Sequence, residues 1–323
     1  MVTTLYRSER FLPELHGRLV AAAETLTPRF EIILVNDGSP DGSLPGALAL
    51  SARDARVRVV DLSRNFGHHR AMMTGLEHAR GDLVFLIDAD LEEDPALLPR
   101  FHQELTRRGV DVVYGVASRR TGGLTARLGG WLFYAAFNLL SRVPVVPNVS
   151  TVRLMTRRYV TALLRHRERE VMIAGLWAAT GFDQVAIPID RRPRPDTSYS
   201  LGRRVSVLVN AITSFSARPL VLVFYLGLII CLLAGATAAY LVVRRLFFGV
   251  LLPGWPSVMV SVWLLGGLTL FAIGLVGIYL AKVFEEVKAR PYTIVRQVYE
   301  GGRPVDAPDG APGPGPRVPP AAN

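Results

Sequence analysis

This chain has almost no sulfur chemistry to offer. Its 323 residues include one cysteine, Cys231, which excludes a disulfide scaffold and any multi-cysteine metal centre. Lysine is nearly missing: only Lys282 and Lys288 occur, so 35 of the 37 basic residues are arginine. Charged residues are sparse, at 20%, while 50% of the chain is apolar and the mean hydropathy is +0.28. Such a composition excludes a disordered chain and points to membrane segments. Residues 1–20 lack the apolar core of a signal peptide, so the N-terminal part is expected to stay cytoplasmic. What the chain does carry is positive charge, a formal net +10.

Two uncharged apolar runs stand out, Leu220–Val243 of 24 residues and Val258–Leu280 of 23. At about 1.5 Å per residue each makes roughly 35 Å of helix, enough to cross a bilayer core. A buried soluble helix is a plainer reading of one such run and a poor reading of two. The link is short and contains Pro253-Gly254-Trp255-Pro256, so residues 219–290 are expected to form a transmembrane hairpin. Arg203, Arg204 and Arg218 precede the first run, and Lys282, Lys288, Arg290, Arg296 and Arg303 follow the second. The link carries only Arg244 and Arg245. The positive-inside rule then predicts a multi-pass protein of the inner (plasma) membrane with both termini cytoplasmic. Leu201, Val205, Leu208, Ile212 and Phe215 share one helical face. Residues 199–218 are therefore read as an amphipathic helix in the membrane interface, or one packed on the preceding domain. Residues 291–323 form a cytoplasmic tail, expected to be disordered from about Gly301, where 7 Pro and 5 Gly fall in 23 residues.

Residues 1–198 are read as one cytoplasmic α/β domain. Short apolar runs predict strands at Val2–Tyr6, Glu31–Asn36, Val57–Leu62, Leu83–Asp88 and Val110–Val116. Helical periodicity predicts helices near Arg10–Thr25, Ser43–Ala52, His69–Ala79 and Pro95–Arg107. The β-α-β-α order predicts a doubly wound, mostly parallel sheet.

In such sheets ligands bind beyond the carboxyl ends of the strands. Two acidic clusters sit there: Asn36-Asp37-Gly38-Ser39-Pro40-Asp41 and Asp88-Ala89-Asp90-Leu91-Glu92-Glu93-Asp94. In extended backbone, residues two apart point the same way, so Asp88 and Asp90 aim two carboxylates at one point. That is costly unless a cation lies between them, and hard oxygen ligands suit Mg2+ or Mn2+ shared with substrate phosphates. A solvated loop is the bland alternative, while Asp41 and Asp94 read as turn or cap residues. His68 and His69 diverge on a helix, so joint metal ligation is not expected; His68 reads as a donor or phosphate contact at a helix start, with Asn65 in the same segment.

With those residues in view, the chain resembles family 2 glycosyltransferases with the nucleotide-sugar-binding GT-A fold. The resemblance is carried by Ile32–Ser43, Leu62–Ala71 and Gly75–Asp90 and by their order. Ile212–Leu220, Pro253–Ser257 and Gly274–Val295 narrow it to the polyprenyl-phosphate glycosyltransferases, similar to dolichol-phosphate mannose synthase and bactoprenol glucosyltransferase. The resemblance implies that Asp37 contacts the base or ribose and that Tyr6 and Glu9 line the nucleotide pocket. It implies that Asp88 and Asp90 hold the metal on the donor diphosphate, with Glu92 beside metal and acceptor phosphate. Arg119 and Arg153 match arginines near the phosphates, and Tyr199 precedes the interfacial helix. Arg191 and Arg192 are taken with Arg153 and Tyr199 as acceptor-phosphate contacts. Departures are Arg7-Ser8 where Asn-Glu is common, Ser150-Thr151 for Gly-Asp, Ser198 for Lys and Ile278 for Glu.

The expected reaction is inverting transfer of a sugar from a UDP- or GDP-sugar donor to a polyprenyl phosphate. The acceptor phosphate is largely dianionic at neutral pH and needs no general base. Arginine suits the grip on two phosphates, and residues 150–204 hold eleven arginines against five acids. A basic face drawn to anionic lipid is the simpler reading of that run. A homo-oligomer, with a tetramer as the working expectation, is carried from the same resemblance. Three alternatives are weaker. A processive synthase would carry Gln-x-x-Arg-Trp, which none of Gln103, Gln184 and Gln297 begins. An inactive scaffold or flipping partner fits poorly with the Asp88/Asp90 pair. Nucleic-acid binding is not expected, because no aromatic-basic platform is evident.

Overall fold

A computed structural model describes residues 1–117, 149–166, 168, 173–190, 218–248, 254–288 and 290–305. Arg119, Arg191, Arg192, Tyr199 and the expected interfacial helix at 199–218, except for its last residue, lie outside them. Two units result, one built on a sheet and one on two long helices.

The sheet unit begins with β1 (Val2–Leu5), α1 (Leu12–Glu24), β2 (Ile32–Asn36), α2 (Ser43–Arg53) and β3 (Val57–Leu62). It continues with α3 (His68–His78), β4 (Leu83–Leu86), α4 (Leu97–Arg108) and β5 (Val112–Ala117). Each lies within a few residues of its predicted bounds. The apolar spacing explains why. On α1, Leu12, Leu15, Leu19, Ala22 and Ala23 are buried, one face of a 3.6-residue period. On α4, Leu98, Phe101 and Leu105 are buried, and Gly109 ends the helix in the left-handed region at φ +63°.

The described residues then add β6 (Val149–Thr156), α5 (Arg157–Leu163), α6 (Ile173–Ala179) and β7 (Gln184–Ile189). The nine described strands run β7-β5-β6-β4-β1-β2-β3-β8-β9. Here β8 is Val295–Glu300 and β9 is Arg303–Val305. Strands β4, β1, β2 and β3 are parallel, as expected, and β5 pairs parallel with β7. But β6 enters antiparallel between β4 and β5, and β8 antiparallel beside β3. The sheet is therefore mixed rather than mostly parallel. Strands that pair antiparallel with partners far away in sequence are not seen by a β-α-β count. One core packs α1, α2 and α4 on one face, and a second packs α3, α5 and α6 on the other.

The tail also departs from expectation. Residues 301–305 are ordered in a hairpin: Gly301 and Gly302 turn at φ +57° and +71°, and β9 pairs back on β8. Two adjacent glycines are a hairpin signal as much as a linker signal. Arg58 and Glu300, opposite each other in the β3–β8 register, fix this edge with a 2.7 Å ion pair.

The helical unit contains α7 (Arg218–Phe248) and α8 (Trp255–Val287). In α8, Ser261–Val287 has a mean hydropathy of 2.2 and none of that window is buried. It is, among the described residues, the one helix long and apolar enough to cross a membrane. The first expected span falls in α7, where the apolar stretch found is the shorter Pro219–Ala234.

Candidate active site

The carboxyl ends of β1, β2 and β4 open onto a cleft of about 420 Å3. Tyr6, Asp37, Asn65, His68, Asp88 and Asp90 line it, so the fold gathers six of the expected site residues in one place. A larger cavity of about 530 Å3 lies at the amino ends of the strands, between Met1, Phe30, Asp82 and His102, and receives none of them.

Asp88 stands two residues past β4 and Asp90 follows it. Asp88 Oδ1 lies 3.1 Å from His68 Nε2, and His68 Nδ1 lies 2.9 Å from Thr4 Oγ1 on β1. Burial would lower the His68 pKa, but the hydrogen bond and charge of Asp88, with Asp37 and Asp90 nearby, leave it raised. Asp90 Oδ1 accepts Glu92 N at 3.1 Å, and Leu91 between them takes the left-handed region at φ +59°. That strained turn swings the chain away after Asp90, so Glu92 follows outside the cleft lining.

Among the described residues no three His, Cys, Asp or Glu side chains gather as in a closed metal centre. Two carboxylates beside an open cleft fit Mg2+ or Mn2+ instead, which keeps water and takes further ligands from a diphosphate.

Asp37 is in the cleft wall but turned to another task. It is 2% exposed, and its Oδ1 and Oδ2 accept Phe66 N at 2.7 Å and Gly67 N at 3.0 Å. Desolvation outweighs those two bonds and leaves its pKa raised. It thereby holds the loop that carries Asn65 and opens α3 at His68. Gly38 next to it has φ +58°, and a Cβ there would fall 2.4 Å from Asn65 N. Tyr6 is 47% exposed at the mouth, with the Arg7 guanidinium 5.7 Å from its ring centroid.

Besides Glu92, two further expected site residues are placed elsewhere. Glu9 is exposed outside the cleft lining, where Oε2 accepts Gly42 N at 2.9 Å before α2. Arg153, on β6 opposite Leu86 of β4, is 1% exposed and stacks over Trp177. It donates from Nε to Thr151 O at 3.2 Å and from Nη2 to Ser150 O at 3.3 Å. Desolvation pulls its pKa down to about 9, against the charge of Asp88. It stands behind the site as a buried cation, not as an arginine presented to a phosphate. Sequence reading missed Thr4, which a strand position facing the β4 end could have suggested, and the Ser150–Glu93 hydrogen bond, which has no local signal.

Comparison with known proteins bears on this site. Residues 1–163 match the family described as Glycosyl transferase family 2. The chain is 53% identical over 299 residues to a Mycobacterium tuberculosis protein named "Putative glycosyltransferases", covering 93% of this chain and 87% of that one. This chain belongs to glycosyltransferase family 2. The glycosyltransferase is also 30% identical over 302 residues to the "Prophage bactoprenol glucosyl transferase homolog" of Escherichia coli, covering 92% and 98% of the two chains. Among solved structures it is similar to glucosyl-3-phosphoglycerate synthase from Mycobacterium tuberculosis in complex with Mn2+ and UDP-glucose. That likeness has a TM-score of 0.43 at 21% identity and covers 66% of this chain and 75% of the other. The matched family domain of this glycosyltransferase coincides with the mixed α/β sheet from β1 to α5.

Proposed function

We propose that this glycosyltransferase transfers a sugar, with inversion, from a UDP- or GDP-sugar to a polyprenyl phosphate such as undecaprenyl phosphate. The product is a lipid-linked monosaccharide made at the cytoplasmic membrane face for cell-envelope glycans. One observation carries the reading: an Asp88/Asp90 pair lines a cleft at the strand ends of a chain that is similar to bactoprenol glucosyltransferases well beyond the family domain, through its apolar helices.

Asp88 and Asp90 would hold Mg2+ or Mn2+, which offsets charge on the leaving diphosphate. Tyr6 offers a ring for the base at the mouth of the cleft. Asp37 keeps Asn65 and His68 in place, and His68 in turn orients Asp88. The acceptor phosphate arrives as a dianion and attacks C1 directly, so the protein's part is positioning and charge stabilisation. Arg153 contributes from behind Asp88 and Arg119 is assigned to charge near the phosphates, while Arg191, Arg192 and Tyr199 are assigned to the acceptor phosphate and Glu92 to its approach.

Strand pairing supports the membrane part. Strand β8 pairs with β3, so segments before and after the two apolar helices belong to one sheet and lie on one side of any bilayer. An even number of crossings must separate them, which favours α7 crossing as well as α8; the excess of flanking arginine and lysine supports a cytoplasmic side for both termini. A homo-oligomer belongs to the same reading and is checked by the mass of the protein–detergent complex.

The test is incubation of membranes bearing the full chain with undecaprenyl phosphate and a panel of nucleotide sugars, with products read by mass spectrometry. One donor is expected to give a lipid-linked monosaccharide. Absence of any such product, with nucleotide binding intact, would leave glycosyl transfer to another acceptor.

A further inference from the structure

The segment after α8 is tied to the loop that leads into the cleft. Ser63 N donates to Ile294 O at 2.9 Å, so the loop leaving β3 is tied to residues at the far end of the chain. The β3–β8 ladder then slips: Leu62 pairs with Val295 but Asp61 with Gln297, leaving Arg296 as the extra residue of a bulge. Bulges re-aim a side chain. This one turns Arg296 under the loop, where Nη1 donates to Asp61 Oδ2 at 3.3 Å and Nη2 to Ser63 O.

Asp61 is 1% exposed, and its other oxygen accepts Asn36 Nδ2 at 2.8 Å. Asn36 Oδ1 in turn accepts Ser39 N at 3.3 Å. Asn36 is the last residue of β2 and adjoins Asp37. The loop from Ser63 to Gly67 is therefore held at one end by Arg296 and Ile294 and at the other by Asp37. Asn65, Gly67 and His68, which line the cleft, sit within or next to the held stretch.

We propose that Arg296 is a positioning residue for the nucleotide donor: from outside the cleft it fixes both the β3–α3 loop and the end of β2. The proposal rests on reading the cleft as the donor site. Without Arg296, Asp61 Oδ2 loses a guanidinium donor while Oδ1 keeps Asn36, so the Asp61–Asn36 contact and the loop above it are expected to shift rather than the fold to fail. The Arg296 side chain is itself 55% exposed, so shortening it leaves no cavity to collapse the fold.

The full-length protein in detergent micelles is titrated calorimetrically with UDP and GDP in the presence of Mn2+, and its melting temperature is recorded. Arg296→Met is expected to weaken binding roughly three- to thirty-fold at a melting temperature within a few degrees of the parent, in the range of mutations along a coupling network. Arg296→Lys, which keeps the charge but not the two-pronged donor, is expected to fall between them. Arg303→Met, in the same hairpin, is expected to bind like the parent. Arg296→Met binding as tightly as the parent overturns the proposal, and so does an equal loss in Arg303→Met. If the parent itself binds neither nucleotide, the donor-site reading falls and the proposal falls with it.

Discussion

After β2 the chain runs Asn36-Asp37-Gly38-Ser39-Pro40-Asp41, and after β4 it runs Asp88-Ala89-Asp90-Leu91-Glu92. Both stretches put acids at the carboxyl end of a buried parallel strand, and by composition they are near equivalents. Their hydrogen bonds separate them. Asp37 accepts two backbone N–H groups across the β3–α3 loop, and Asp41 accepts Glu9 N at 3.2 Å, Ser43 N at 3.1 Å and the Ser39 hydroxyl. Asp88 and Asp90 instead line the cleft with a histidine and a backbone amide as their described partners. The first cluster builds the wall, and the second is the one we propose to present charge to a ligand. Acid count does not assign a site; what the carboxylate oxygens accept does.

The contrast can be broken most sharply at Asp90. Asp90→Ala should lower sugar transfer about a hundredfold or more, in the range seen when a group stabilising developing charge is lost. Its denaturant midpoint should stay near the parent's, because the side chain is half-buried and at the cleft surface. Asp37→Ala should do the reverse in kind: two buried N–H groups lose their acceptor, costing about 3 kcal/mol in chemical unfolding. Donor affinity would fall along with it. Gly38→Ala tests the same wall from the backbone side. A left-handed φ and a Cβ 2.4 Å from Asn65 N should cost about 2 kcal/mol and displace the loop. A variant as stable as the parent would show that the wall is softer than its geometry implies.

The smallest effect concerns acid. Burial would raise the Asp41 carboxyl, but hydrogen bonds from Ser39, Ser43 and Glu9 outweigh it and bring its pKa from 3.8 to about 2. A carboxyl depressed in the fold adds stability above its ordinary pKa, and that share is lost as pH falls from about 4 to about 2. Asp41→Asn should therefore show a shallower loss of melting temperature over that window than the parent does.

Much of this was legible in the sequence. The four central strands and α1 to α4 announce themselves by period and by the turns between them, and six expected site residues converge because each follows or ends such an element. Other parts depend on contacts far apart in sequence. Strand β6 hides because Arg153 at its centre reads as a surface residue, whereas Trp177 and two carbonyls bury it. Strand β8 hides because its partners, Arg58 and Asp61, lie more than 230 residues away. The Gly301-Gly302 pair resembles the start of a Pro/Gly-rich tail until the hairpin is seen. Glu9 has the right type and place for a pocket residue, yet its carboxylate meets the Gly42 amide first.

We propose that the β4 end, not the β2 end, holds the cation and diphosphate. Calorimetric titration of UDP and GDP into the full-length protein, with Mn2+ and again with excess chelator, tests it most directly. One nucleotide should bind with the cation and lose most of its affinity without it, and Asp90→Ala should bind as weakly as the chelated parent. Binding that is equally tight in chelator, or that survives Asp90→Ala unchanged, would contradict the account.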